Sequence, residues 1–163
     1  MRRHILSIII ILFALVLSVV GCGEPKTPVP TDLQSVVITL ERTACYGYCP
    51  VYKLTVYGDG RIIYEGTKYV KIVGTRTASI SDDQIKQLID EFRKIDYFSL
   101  KDSYQHLDAT DMPGVITSLT IDGQKKTVNH YHGDLSAPKS LTNLENAIDH
   151  IVSSDQWVGS FYE

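Results

Sequence analysis

Residues 51–65 read VYKLTVYGDGRIIYE, and this stretch decides the fold because it has the pattern of a β-hairpin. Apolar and polar side chains alternate over residues 51–57, as in a strand that buries one face. Residues 58–60 (Gly-Asp-Gly) tolerate a positive φ angle, so residues 61–65 should return antiparallel as the second strand. The stretch therefore predicts two antiparallel strands joined by a tight turn.

The segments around this hairpin predict the rest of a sheet. The same period of two recurs over residues 36–41. Further strands are predicted over residues 69–80, with a bend at Gly74, and over residues 115–121 and 125–131. The last two segments flank Asp-Gly at 122–123, which is a second hairpin signal.

Two segments have the spacing of amphipathic helices. Ser81 followed by Gln84 is a capping-box signal, and a second helix follows Pro138, where a first turn tolerates proline. Each helix has one apolar stripe. The stripes are Ile85, Leu88, Ile89, Phe92 and Ile95 in the first, and Leu141, Leu144, Ala147, Ile148 and Ile151 in the second. The order ββββ-α-ββ-α predicts an α+β fold, an antiparallel sheet of about six strands covered on one face by two helices.

The N-terminus has the pattern of a secretory signal. Residues 2–4 (Arg-Arg-His) are basic, and residues 5–20 form an apolar run that is slightly short of the roughly 20 residues that span a bilayer. The run ends in Val-Val-Gly-Cys at 19–22, which resembles the lipobox of bacterial lipoproteins. By that resemblance, residues 1–21 are a lipoprotein signal peptide and Cys22 carries a diacylglyceryl lipid of the palmitate type. The alternative is an uncleaved N-terminal anchor.

Composition divides the remaining chain in two. Residues 22–32 are rich in proline and lack apolar periodicity, which predicts a semi-extended tether after the lipidated cysteine. Residues 33–163 have the length of a single domain. We expect this domain to be lipid-anchored to a membrane in the cell envelope and to face the periplasm or the exterior.

The charge pattern argues against nucleic acid as a partner. The formal net charge is −3, from 16 basic and 19 acidic residues that are scattered along the chain. Binding to phosphate backbones needs a concentrated basic face. We therefore expect a partner of another class.

Cysteine chemistry is confined to one short segment of the domain. Apart from Cys22, the chain has only Cys45 and Cys49, which lie between the first two strands. Because the compartment outside the inner membrane is oxidising, we expect them to form a disulfide. The alternatives are a redox pair or half of a metal site, although thioredoxin-like catalysis uses two intervening residues at a helix N-terminus.

A second candidate site is the pair His130 and His132. Residues i and i+2 of a strand project from the same face, so two imidazoles there could ligate zinc or copper. His106 and Asp111 in the preceding loop are further candidate donors. The alternative is that His130 shares its face with Val128 and is a hydrogen-bonded core residue. Apart from this metal, we expect no cofactor.

The cysteine segment also carries a family resemblance. Residues 42–52 (Arg-Thr-Ala-Cys-Tyr-Gly-Tyr-Cys-Pro-Val-Tyr), followed by Gly-Asp-Gly at 58–60, resemble a bacterial domain family of unknown function. Later segments at 92–100, 110–113 and 131–133 fit its layout. The resemblance covers about residues 35–159 and implies a fold and an envelope setting, but no activity.

Two functions of different class follow. The first is a non-enzymatic envelope module that binds an envelope protein or a cell-wall component, with Tyr46 and Tyr48 as candidate binding residues, since exposed aromatic side chains favour interfaces. The second is a metal-binding or hydrolytic site that uses His130, His132 and Asp111. The second function requires these side chains to lie close together.

Overall fold

The computed structural model describes residues 27, 28, 30 and 32–159. The predicted signal peptide and Cys22 lie outside these residues. Within the described part of the chain, no helix is both long enough and apolar enough to cross a membrane.

The described residues form one mixed sheet of seven strands with three α-helices, which confirms the α+β class. The strands lie in the order β4-β3-β2-β1-β6-β7-β5. They are β1 (Val37–Arg42), β2 (Val51–Tyr57), β3 (Arg61–Lys68), β4 (Gly74–Ser79), β5 (Ser103–Tyr104), β6 (Gly114–Ile121) and β7 (Gln124–Tyr131). The helices are α1 (Asp82–Lys94), α2 (Lys139–Val152) and α3 (Asp155–Val158), with short 3-10 helices at Leu33–Ser35 and Tyr97–Ser99.

The prediction of about six antiparallel strands and two helices is wrong in detail. β5 is a seventh strand and pairs with β7 in parallel, through Ser103 with Asn129 and Tyr104 with His130. Two residues are too few to show a period of two, so the sequence pattern placed this strand in a loop. α3 was not predicted either, because one turn of helix is too short for an apolar stripe.

The fourth strand is shorter than predicted, since β4 begins at Gly74 and not at residue 69. The backbone N–H groups of the segment before it donate to the end of α3. Lys71 N donates to Val158 O at 3.0 Å, and Ile72 N donates to Trp157 O at 2.9 Å. This contact fixes the C-terminal turn against the sheet.

The alternating strands bury one face under the helices. Ile38 and Leu40 of β1 and Leu54 of β2 are fully buried, whereas Thr39 and Lys53 point to the opposite face. The core lies between this face and the apolar stripes of α1 and α2. The capping box predicted for α1 is confirmed, because Ser81 Oγ accepts a hydrogen bond from Gln84 N and Gln84 Oε1 accepts one from Ser81 N.

Strand register gives the sheet two distinct ends. At one end, Val37 lies between Tyr57 and Thr120, next to the tight turns at 58–60 and 122–123; we call this the hairpin end. At the other, Arg42 lies beside the loops 43–50, 105–113 and 132–137, which we call the loop end. β1 spans the sheet from one end to the other, about 20 Å at 3.3 Å per residue.

The chain approaches the sheet at the hairpin end. Asp122 N in the β6–β7 turn donates to Ser35 Oγ at 3.2 Å, just before β1. Thr27, inside the predicted tether, is buried: its N donates to Asp96 Oδ1 at 2.9 Å, and its Oγ1 accepts from Phe98 N at 3.3 Å. The tether therefore contacts the domain at this residue.

Candidate functional site

Two histidines and a glutamate meet at the loop end, beneath α2. β7 directs His130 toward the helices, where its side chain is 5% exposed, and His132 follows one residue beyond the strand end. Glu145 lies on the buried face of α2 and is fully buried. His130 Nδ1 lies 2.7 Å from Glu145 Oε1, and His132 Nε2 lies 2.8 Å from Glu145 Oε2.

The carboxylate sets the tautomers of both rings. Burial alone raises the pKa of Glu145, but the hydrogen bonds and charge of His130 and His132 outweigh it and hold the pKa below its ordinary value. An ionised carboxylate has no proton to give, so each facing ring nitrogen carries the hydrogen and donates it. A buried acid is thus satisfied by two imidazoles, as buried charges require.

A second network joins the neighbouring strands to α2. Asp149 Oδ2 accepts from Arg42 Nη2 at 2.7 Å and from Arg42 Nε at 2.9 Å. Its Oδ1 accepts from Tyr52 OH at 2.7 Å and from Ser154 Oγ at 2.6 Å. Burial lowers the pKa of Arg42, but Asp149, together with Tyr52 and Glu145, outweighs burial and leaves the pKa raised. For Tyr52, burial first and Asp149 second raise the pKa of the phenol.

A cavity of about 500 Å³ is lined by residues of both groups. His132 contributes to one part of its wall, and Arg42, Tyr52 and Asp149 contribute to another. The other lining residues are Cys49, Pro50, Pro113, Thr142, Asn146, Ser154, Asp155, Val158 and Gly159. The cavity therefore brings cationic, hydroxyl, amide and imidazole groups next to an apolar rim, as small-ligand sites do.

The cysteine loop closes beside this cavity. Cys45 and Cys49 form a disulfide with their Cα atoms 5.7 Å apart, as the sequence led us to expect. Both sulfur atoms are used in this bond, so neither is a metal ligand here. The loop exposes Tyr46 and Tyr48, which are 87% and 80% exposed, and the Tyr48 ring packs edge-on against Tyr69.

The other donors proposed from the sequence lie elsewhere in the loop end. His106 is exposed, and its Nδ1 lies 2.7 Å from Asp108 Oδ1. Asp111 is exposed with a left-handed backbone (φ 67°), and its carbonyl accepts from Tyr46 N at 3.3 Å. Among the described residues, the group with metal-ligating atoms within 4.8 Å of one another is His130, His132 and Glu145. The structure brings the two histidines together, but not with His106 or Asp111.

Sequence reasoning missed Glu145, Arg42 and Asp149. Glu145 had a signal: it lies one residue after Leu144 and three before Ile148, inside an apolar stripe where a charge needs a buried partner. Arg42 and Asp149 are far apart in sequence, so no sequence pattern indicated that they pair.

These features define a class of protein: a single-sheet α+β domain with helices on one face and a disulfide-closed loop at one end. The chain belongs to the DUF6438 family, a domain of unknown function, whose model matches residues 36–152. The match runs from the start of β1 to the end of α2 and includes the cysteine loop and the histidine–glutamate cluster. No curated protein matches the chain.

Proposed function

We propose that this chain is a bacterial cell-envelope lipoprotein, tethered to a membrane through Cys22, whose domain is a non-enzymatic binding module. The export sequence and the lipobox-like residues 19–22 support the tether. The difference between the loop end and the hairpin end of the sheet supports the binding module.

The binding surface is the loop end. The observation that carries the proposal is the exposure of Tyr46 and Tyr48 on a loop that the disulfide holds in one shape. Tyrosine gives a large contact area at a low cost in conformational entropy, and a fixed loop lowers that cost further.

Apolar side chains extend this surface. Leu107 is 69% exposed, Met112 is 42% exposed and Leu135 is 78% exposed, all in loops of the same end. The loops are tied together, since Tyr46 N donates to Asp111 O and Leu135 N donates to a carboxylate of the neighbouring loop. Exposed aromatic and aliphatic groups on a braced surface favour a protein partner of the envelope over a cell-wall polymer.

The position of the tether orients this surface. The chain reaches the sheet at the hairpin end, and Thr27 already contacts the domain. Only residues 23–26 separate Thr27 from Cys22, a reach of about 17 Å over five peptide steps when fully extended. In this proposal, the anchor holds the hairpin end near the membrane and leaves the loop end facing away from it.

Photo-crosslinking in cells tests this proposal. A photoreactive amino acid replaces Tyr48 at the loop end or Lys125, which is exposed at the hairpin end, as the matched control. We expect a discrete crosslinked protein from position 48, and none of the same size from position 125. Equal crosslinking at both positions, or none at position 48 in a membrane-bound protein, would contradict the proposal.

A further inference from the structure

The cluster of His130, His132 and Glu145 has the composition of a transition-metal site. The three side chains offer two imidazole nitrogens and a carboxylate oxygen, all within 4.8 Å of one another. Two histidines and one glutamate are a donor set that zinc takes in sites that keep a fourth position open. We propose that these three residues bind one Zn²⁺ ion, independently of any role of the lipid tether.

The ligands are held in place before metal arrives. His130 is buried on β7 with its ring edge-on to Tyr104, and its ring centroid lies 4.7 Å from that of His132. Glu145 is fixed on α2 between Leu144 and Ile148 of the buried stripe. Rigid elements on both sides of the site reduce the cost of ordering ligands when the ion binds.

Little movement is needed to admit the ion. Ligand atoms at 2.0–2.1 Å from a tetrahedral ion lie about 3.3 Å from one another. His130 Nδ1 lies 2.7 Å from Glu145 Oε1 and His132 Nε2 lies 2.8 Å from Glu145 Oε2, so the imidazole nitrogen that faces the ligating oxygen must move away from it by about 0.5 Å. Each ring also moves its proton to its other nitrogen by exchange with solvent, which leaves the imidazole neutral and frees the lone pair that binds zinc.

The fourth coordination position faces the cavity. His132 is 20% exposed and lines the cavity of about 500 Å³, whereas His130 and Glu145 close the buried side. Water or an anionic group of a ligand can complete the tetrahedron from there. The cavity thus becomes a site where the ion holds one end of a small molecule.

Zinc titration of the full chain tests the proposal. The protein is purified in detergent without a polyhistidine tag, stripped with a chelator, and titrated with ZnCl₂ against a chromophoric competitor. We expect one ion per chain. His132→Gln and Glu145→Gln should each weaken binding by more than the roughly 10–100-fold that loss of an outer-shell partner costs. His106→Gln is the matched control, because His106 is exposed and lies outside the cluster, and it should bind as the unaltered chain does.

X-ray absorption on the zinc-loaded, unaltered chain gives an answer that does not depend on variants folding. We expect two imidazoles and oxygen in the first shell, without sulfur. The proposal is overturned if the unaltered chain binds no stoichiometric zinc, if sulfur or only oxygen is found, or if His106→Gln weakens binding as much as His132→Gln. In that case the cluster is a buried hydrogen-bonded acid and nothing more.

Discussion

Replacing Asp149 by alanine should destabilise the domain more than any surface substitution. One carboxylate ties three parts of the fold, because it accepts hydrogen bonds from Arg42 of β1, Tyr52 of β2 and Ser154 after α2. In Asp149→Ala, Arg42 keeps only weaker neutral acceptors, including Asn146 Oδ1 at 3.2 Å.

The magnitude follows from the burial of this pair. Breaking a buried ion pair by removing one partner costs about 3–5 kcal/mol. The side chains of Arg42 and Asp149 keep 16% and 18% of their exposure, so water partly replaces the lost contact. We therefore expect Asp149→Ala to lower the free energy of unfolding by about 3 kcal/mol, the lower end of this range. For a domain of this size that is a fall in Tm of about 9–15 °C.

Urea unfolding followed by tryptophan fluorescence measures this loss. Trp157 is the single tryptophan, is 5% exposed, and stacks on Tyr64, so its emission reports on the core. Asp90→Ala is the control: Asp90 pairs with Arg93 on the exposed face of α1, and its loss should cost no more than about 0.5 kcal/mol. A loss of less than about 1 kcal/mol for Asp149→Ala, or one equal to that of Asp90→Ala, would show that the Arg42–Asp149 pair does not stabilise the fold in this way.

Three further outcomes are expected. Reducing the bond between Cys45 and Cys49 should lower the unfolding free energy by about 2 kcal/mol, because it closes only a five-residue loop, and the far-ultraviolet circular dichroism should not change. Ser81→Ala removes the cap that bonds Gln84 N and should cost about 1 kcal/mol in the same urea assay. A neighbouring serine hydroxyl, and then backbone amides, hold the pKa of Asp134 below its ordinary 3.8. The stabilisation that results is fully present above the pKa that Asp134 has in the unfolded chain. It is lost as the pH falls through the lower pKa that Asp134 has in the folded chain. Acidification should therefore cost the unaltered chain more unfolding free energy than Asp134→Asn, and an equal loss would contradict this assignment.

Local patterns predicted the elements, whereas contacts between distant segments decided the site. The capping box of α1 and the two tight turns depend on neighbouring residues, and all are present in the structure. β5 was not predicted, because two residues are too few to show a period of two. Its parallel pairing with β7 is a contact between distant segments of the chain.

The candidate site also combines features that neighbouring residues predict with features that depend on distant contacts. The spacing of His130 and His132 correctly placed two imidazoles on one face, because strand geometry is local. Their acid is Glu145 and not Asp111, since the choice depends on how α2 crosses the end of the sheet. A charge inside an apolar stripe is the one local sign of it.

Intact-mass spectrometry of the chain isolated from membranes tests the central claim, the lipid tether at Cys22, most directly. We expect a chain that begins at Cys22, with residues 1–21 removed and a diacylglyceryl group on the cysteine. Its mass should rise by two hydrogen atoms when Cys45 and Cys49 are reduced. The Cys22→Ala variant should either be missing from the membrane fraction or keep residues 1–21. A mature chain that begins elsewhere, or one that begins at Cys22 without lipid, would contradict a lipid tether at Cys22.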